Sequence, residues 1–388
     1  VKWPADRITN SSPKSFGMYE KAAVMAAAGA DVIHLEVGRP SFDTPAFIKE
    51  ATKKALDDGM VHYGDFAGEA ALRNAIVDKI RKKNNLLISS DDVLVTNGLT
   101  HASFAAIMAA IDPGDEVILL EPYYPQHINK IELAGGVIKT VPLDCANGFR
   151  IDAAAIEKAI TTKTKMICIV NPVNPTGRVY TRDELQSLAD IAIRHDILVL
   201  SDEVYEEILY DDNCHISIAS LPGMFERTFS LFAFTKAFAM DGWRLGFVVA
   251  KSDFMPALKK ITVNDVAHVN VFIQMGGVAA LTQGEDALRE MVAEDKRRRD
   301  LVYHRLNQMS GITCPLPEGT IYAFPNISAT GMTAQQAADG LLEEAHVAVE
   351  AGTFYGANGE NHLRVCFGAE PFERIEVALD RMAQFFAK

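Results

Sequence analysis

The sequence predicts an α/β protein: a mostly parallel sheet of seven strands covered by helices, joined to a smaller α+β domain. Three observations carry this expectation. From about residue 92 to 250, short β-rich runs alternate with helical patterns, the arrangement that builds a parallel sheet with helices on its faces. Most of these runs are apolar throughout, as strands covered on both faces must be. The 388 residues also exceed what one hydrophobic core organises, at ~150 residues per domain.

The first 44 residues, with an alanine-rich helical run at Ala22–Ala30, are too loose to fold alone. Strands are expected at Val93–Asn97, Glu116–Leu120, Val137–Val141, Lys165–Val170, Ile197–Ser201, Thr228–Ala233 and Leu245–Ala250. Between the fourth and fifth, Thr181-Arg182-Asp183-Glu184 forms a capping box. Leu185, Leu188, Ala189, Ala192 and Ile193 then follow helical spacing. Beyond about residue 280 the pattern changes to a charged helix at Asp286–Met309 and short strands at Ile321–Pro325 and Leu363–Phe367, with closing helices at Thr333–Ala345 and Pro371–Ala387. No repeat and no low-complexity linker interrupts the chain.

Acidic residues outnumber basic ones 51 to 38, a net charge of −13, so the long-range field repels phosphate backbones and anionic lipid. No apolar run approaches the ~20 residues of a membrane span, and no basic segment followed by a leucine-rich one marks a secretory signal. Neither nucleic acid nor membrane is expected as a partner. The five cysteines are scattered and never form a C-x-x-C pair, which argues against a disulfide frame or a metal site and for a reducing cytoplasm. The chain has no G-x-G-x-x-G, Walker loop, H-E-x-x-H or G-x-S-x-G, so the common nucleotide and hydrolase readings fall.

What remains is a set of polar residues where strands end, the place where ligands bind in an open α/β sheet. After Val93–Asn97, Gly98-Leu99-Thr100 opens an apolar helix whose free N–H groups suit a phosphate; an ordinary helix cap is the plainer reading. Asn171-Pro172-Val173-Asn174-Pro175-Thr176-Gly177 fixes a rigid turn that aims the Asn174 amide, or is simply a turn. Asp202 stands where apolar packing ends and needs a cationic partner, unless it only caps a loop. Lys236, in Phe234-Thr235-Lys236, has a lowered pKa if it sits in an apolar mouth beside another cation; a lone lysine is more often solvated. Together, phosphate cradle, amide, carboxylate and lysine on successive strand ends describe a pyridoxal phosphate pocket.

Here the sequence resembles a family. Thr235-Lys236 with Arg244 eight residues on, Asn171–Gly177, and Asp202 with Tyr205 three later resemble the class I/II aminotransferases of pyridoxal-phosphate fold type I. His34–Pro40 and Phe42–Pro45 look like the family's entry motif, and His362-Leu363-Arg364-Val365 like the segment of its substrate-binding arginine. The resemblance implies that pyridoxal 5'-phosphate is carried by Lys236, which then shuttles the substrate Cα proton. Asp202 is implied as partner of the pyridine nitrogen, Asn174 and Tyr205 of the ring oxygen, and Tyr124 as the stacking aromatic, with His127 behind Asp202. Gly98, Leu99, Thr100, Thr235 and Arg244 are implied as phosphate ligands, and Tyr63 as reaching the neighbouring subunit's phosphate in a homodimer with shared sites. Arg364, helped by Gly38 and Asn174, is implied to clamp the α-carboxylate.

The fold that follows is a large cofactor domain at 45–280 and a small domain made of 1–44 plus 281–388. The implied reaction is ping-pong transfer of an amino group from an L-amino acid to a 2-oxo acid, with a carbon–sulfur β-lyase on the same fold as the alternative. Two departures stand out: Ala233 replaces the family's Ser or Gly, and Val263–Gln274 lacks the usual Ser/Thr-rich run. That stretch contains no Arg or Lys for a second substrate carboxylate, whereas Phe16, Tyr124 and Tyr322 are available to line an apolar pocket. Neutral, aliphatic or aromatic donors are therefore expected over aspartate, with Arg39 as the one cation placed to reverse this.

Overall fold

The computed structural model describes residues 1–12 and 17–388. Phe16 lies outside the described residues. The large sheet has seven strands, at β1 (Val93–Thr96), β2 (Glu116–Glu121), β3 (Val137–Pro142), β4 (Thr164–Val170), β5 (Leu198–Asp202), β6 (Thr228–Ala233) and β7 (Gly246–Val249). Their spatial order is β1-β7-β6-β5-β4-β2-β3. Strands β2 to β6 run parallel to their neighbours, while β7 is antiparallel to both β6 and β1. Ile118, Ile167, Val199 and Leu231 are fully buried, which is why these runs carry no polar alternation.

The register explains how distant residues come to share one edge. Val170 pairs with Asp202 and Asp202 with Leu231, so the C-terminal ends of β4, β5 and β6 are level. Because β7 runs the other way, its first residue Gly246 pairs with both Ala233 and Thr96, and Arg244 enters from the same edge. The expected fifth strand ended at Ser201; the observed one includes Asp202, which is thereby held by the ladder. The Thr181 capping box is present: Thr181 Oγ1 accepts from the Glu184 N–H at 3.3 Å and the Glu184 carboxylate from the Thr181 N–H at 3.0 Å, starting the helix Arg182–Arg194.

Residues at the two chain ends meet away from this sheet. Ile33–His34 pairs in parallel with Val347–Ala348. A three-stranded antiparallel sheet joins Glu350–Ala351, Leu363–Cys366 and Tyr322–Ala323 in that order. Met18, Ala22, Ile33 and Leu35 share a core with residues from Val302 to Phe385, so the loose N-terminal segment is ordered by the C-terminal helices. Among the described residues no helix is long and apolar enough to cross a membrane.

Candidate active site

The phosphate-cradle sequence starts the helix Gly98–Ala110 directly after β1, with Gly98 at φ +78°. Asn97 at its N-cap makes no side-chain capping bond, so the first-turn N–H groups are left for another acceptor. Glycine is required twice here. A Cβ on Gly98 would lie 2.5 Å from Arg244 Nη2, and one on Gly246 would lie 2.7 Å from the Phe232 carbonyl and 2.9 Å from the Gly98 carbonyl carbon. Arg244 is thus pressed against the cradle, held by a 2.7 Å bond from Nη1 to the Asp241 carbonyl. Thr100 is exposed and Thr235 half-buried at the same mouth.

Lys236 follows β6 and donates to the Gly38 carbonyl. Burial lowers its pKa to about 8, with Arg364 and Arg244 pushing the same way against Cys366 and Asp241. A large share of the amine is therefore neutral near pH 8. Asp202 is 2% exposed, and its Oδ1 accepts from the Val204 N–H at 3.2 Å. His127 Nε2 lies 3.6 Å from Asp202 Oδ2, and neither His127 ring nitrogen has a hydrogen-bond partner among the described residues. Burial pulls the His127 pKa down against the pull of Asp202, so the ring is a weak counter-charge.

Arg364 is buried over the faces of Tyr322 and Tyr355, at 4.5 Å and 5.1 Å from their centroids. Its Nη1 donates to Asn174 Oδ1 at 3.3 Å and its Nη2 to the Glu36 carbonyl, while Nε has no partner among the described residues. Tyr205 shares a 2.6 Å hydroxyl bond with Tyr322, whose oxygen would lie 2.0 Å from a Cβ on Gly38. Burial raises the Tyr124 phenol pKa well above its usual range; its ring meets His127 edge-on at 5.3 Å. The fold therefore gathers Gly38, Tyr124, Asn174, Asp202, Tyr205, Lys236, Arg244 and Arg364 around one mouth. Tyr63 does not join them within the chain: it is 86% exposed and leans on His268.

Glu350 was not singled out from sequence, although a lone carboxylate in Val347-Ala348-Val349-Glu350-Ala351 is an available signal. It pairs in register with Arg364 and is 4% exposed, and burial pushes its pKa up to about 7 against the opposing Arg364 charge. Below about 7 the carboxyl is neutral and Arg364 keeps its charge for a ligand; above it, ionised Glu350 competes. KM for an amino acid is expected to rise on the order of fivefold as pH passes this value. Glu350→Gln should flatten the KM profile, which steady-state kinetics across pH will check.

These groups fit pyridoxal phosphate. Among the described residues the buried Asp202 carboxylate has no full cationic partner, as expected of a carboxylate that receives a protonated ring nitrogen. The uncapped helix start with Arg244 suits a phosphate dianion, and a desolvated lysine suits an aldehyde.

Comparison with known proteins agrees. The family model described as aminotransferase class I and II matches residues 30–382. The chain is 40% identical to an aspartate aminotransferase of Pyrococcus abyssi over 381 residues, covering 97% of each chain. It is 37% identical to aromatic-amino-acid aminotransferase 2 of Thermococcus litoralis, again over 97% of each. The crystal structure of an aromatic aminotransferase from Pyrococcus horikoshii superposes with a TM-score of 0.89 at 39% identity, covering 94% of this chain and 97% of that one. These relatives are transaminases, so the lyase alternative is not carried forward. With fold, mouth and relatives in agreement over almost its whole length, the chain belongs to the class I and II aminotransferases and is a pyridoxal-phosphate-dependent enzyme that moves amino groups between amino acids and 2-oxo acids.

Proposed function

We propose that the enzyme takes neutral donors, aromatic or aliphatic, and that its sites are shared in a homodimer. Lys236 would hold the cofactor and then, as a free amine, move the proton at the substrate Cα. Bound pyridoxal phosphate supplies an electron sink conjugated to that carbon. Asp202 would keep the ring nitrogen protonated, with Asn174 and Tyr205 at the ring oxygen and Tyr124 against the ring face. Gly98, Leu99, Thr100, Thr235 and Arg244 would bind phosphate, joined by Tyr63 from a second copy of this chain. Tyr63 has the exposure such a contact needs, beside the exposed Val61 and Phe66. Arg364 would exchange the Glu36 carbonyl for the substrate α-carboxylate, flanked by Asn174 and the Gly38 backbone. The chain would divide into a large domain at 45–280 and a small one at 1–44 plus 281–388, working in the cytoplasm.

The donor class rests on one observation: the mouth beside Arg364 is walled by Tyr322, Tyr205 and Tyr124, and Val263–Gln274 brings no Arg or Lys. A buried second carboxylate would stand unpaired. The Thermococcus litoralis relative, named for aromatic amino acids, supports this. A second reading, aspartate, is supported by the name of the Pyrococcus abyssi relative and by the exposed Arg39 next to Gly38. Single-turnover loss of the cofactor's visible band should rank phenylalanine and leucine ahead of aspartate by about tenfold in k/Kd, or ~1.4 kcal/mol. Aspartate ahead of alanine, leucine and phenylalanine together would establish the second reading.

A further inference from the structure

Beside the strand ends that carry Asn174 and Asp202 lies a second polar cluster to which no catalytic role falls. Glu203, next to Asp202, is 0% exposed. Its Oε1 accepts from Ser217 Oγ at 2.9 Å, and its Oε2 lies 2.7 Å from His215 Nε2. The other His215 nitrogen, Nδ1, lies 3.5 Å from Asn171 Nδ2. The Asn171 amide is oriented by its oxygen, which accepts from the Tyr180 N–H at 3.0 Å, and by Nδ2 donating to the Ile216 carbonyl at 3.4 Å. An amide nitrogen only donates, so His215 Nδ1 must accept, and the ring proton sits on Nε2, facing Glu203.

The contacts close a ring. The Asn171 N–H donates to the Asp202 carbonyl at 2.9 Å, Glu203 follows Asp202, and His215 returns from Glu203 to the Asn171 side chain. The turn bearing Asn174 and the strand end bearing Asp202 are thereby tied at two points. Glu206 completes a set with Glu203 and His215 whose ligand atoms lie within 4.8 Å of one another, a spacing that suits a cation. That charge is already present: Lys79 is bonded to Glu206 and, at 2.9 Å, to Asn84 Oδ1. The cluster is a clamp rather than a metal centre.

We propose that His215 and Glu203 are positioning residues that fix Asn174 relative to Asp202, and so balance the two ends of the bound cofactor ring. The proposal rests on the roles given above to Asn174 and Asp202. Neither residue of the pair needs to touch substrate for this.

The test compares holoenzymes. In His215→Gln the amide keeps a donor for Glu203 and an acceptor for Asn171, and behaviour close to native is expected. Combining His215→Phe with Glu203→Leu removes the clamp without stranding a buried charge. In that variant the pH midpoint of the bound cofactor's visible band should move by about half a unit or more. Its kcat should fall about tenfold with little change in KM. A folded double variant with native midpoint and kcat, or a His215→Gln enzyme as impaired as the double variant, would overturn the proposal. Histidine 15N spectra of the native holoenzyme decide the matter without a variant. His215 must carry its ring proton on Nε2 and accept at Nδ1, and a proton on Nδ1 refutes the clamp. If instead Asp202→Ala turned over normally, the underlying role assignment would fail while the tautomer still read as stated.

Discussion

Lys236→Ala is expected to remove the visible band of the bound cofactor and to lower turnover by about a thousandfold or more. The burial that lowers the Lys236 pKa to about 8 makes its amine available, and among the described residues no other lysine leaves a strand end of the large sheet at this mouth. The variant should stay folded, because the side-chain hydrogen bond that Lys236 makes to the Gly38 carbonyl is replaceable by water at a half-buried position. Absorbance of the purified protein with added cofactor and a steady-state assay check this together; a retained band with activity refutes the assignment. The same variant tests the shared site. Mixed with Tyr63→Phe chains, it should form hybrid dimers in which one site carries both defects and the other neither, so activity returns. Hybrids that form and stay inactive would remove Tyr63 from a neighbour's site.

Asp202→Ala is expected to keep cofactor but slow proton removal at Cα by about a hundred- to a thousandfold, or ~3 to 4 kcal/mol of lost preorganised charge. The buried carboxylate has one N–H donor and a weakly basic histidine 3.6 Å away, so its charge is poorly compensated until a cation arrives. The cofactor-free variant should therefore be no less stable than the native chain. Single-turnover rates with a saturating donor and thermal melts of the cofactor-free proteins separate the two effects. Near-native rates would place the partner of the ring nitrogen elsewhere.

The large sheet and the order of its chemistry were legible because most of its strands are short apolar runs, and those ending at Val170, Asp202 and Ala233 bring a polar residue within three positions of their ends. Asn171 to Gly177, Asp202 and Lys236 needed only a correct strand end, and parallel register did the rest. The contacts that finish the mouth were not legible, because they join residues far apart in the chain. Gly38 and Lys236 are separated by 198 positions and Glu36 and Arg364 by 328, and both bonds use backbone carbonyls that no side-chain pattern announces. Glu350 escaped notice for a related reason: its carboxyl matters only because strand pairing sets it opposite Arg364. Tyr322, expected from sequence to line an apolar pocket, also holds the Tyr205 hydroxyl and one face of Arg364.

The reversed strand β7 sets a timetable for biosynthesis. Strand β1 is the first of the large sheet to leave the ribosome and β7 the last, yet β7 is the one strand of this sheet that β1 pairs with. At roughly 5–20 residues per second, Val249 emerges about eight to thirty seconds after Thr96. Until then the cradle at Gly98 has neither Arg244 against it nor Gly246 beneath it. A nascent chain stalled before Arg244 would present β1 without its partner strand and the Gly98 cradle without its cation.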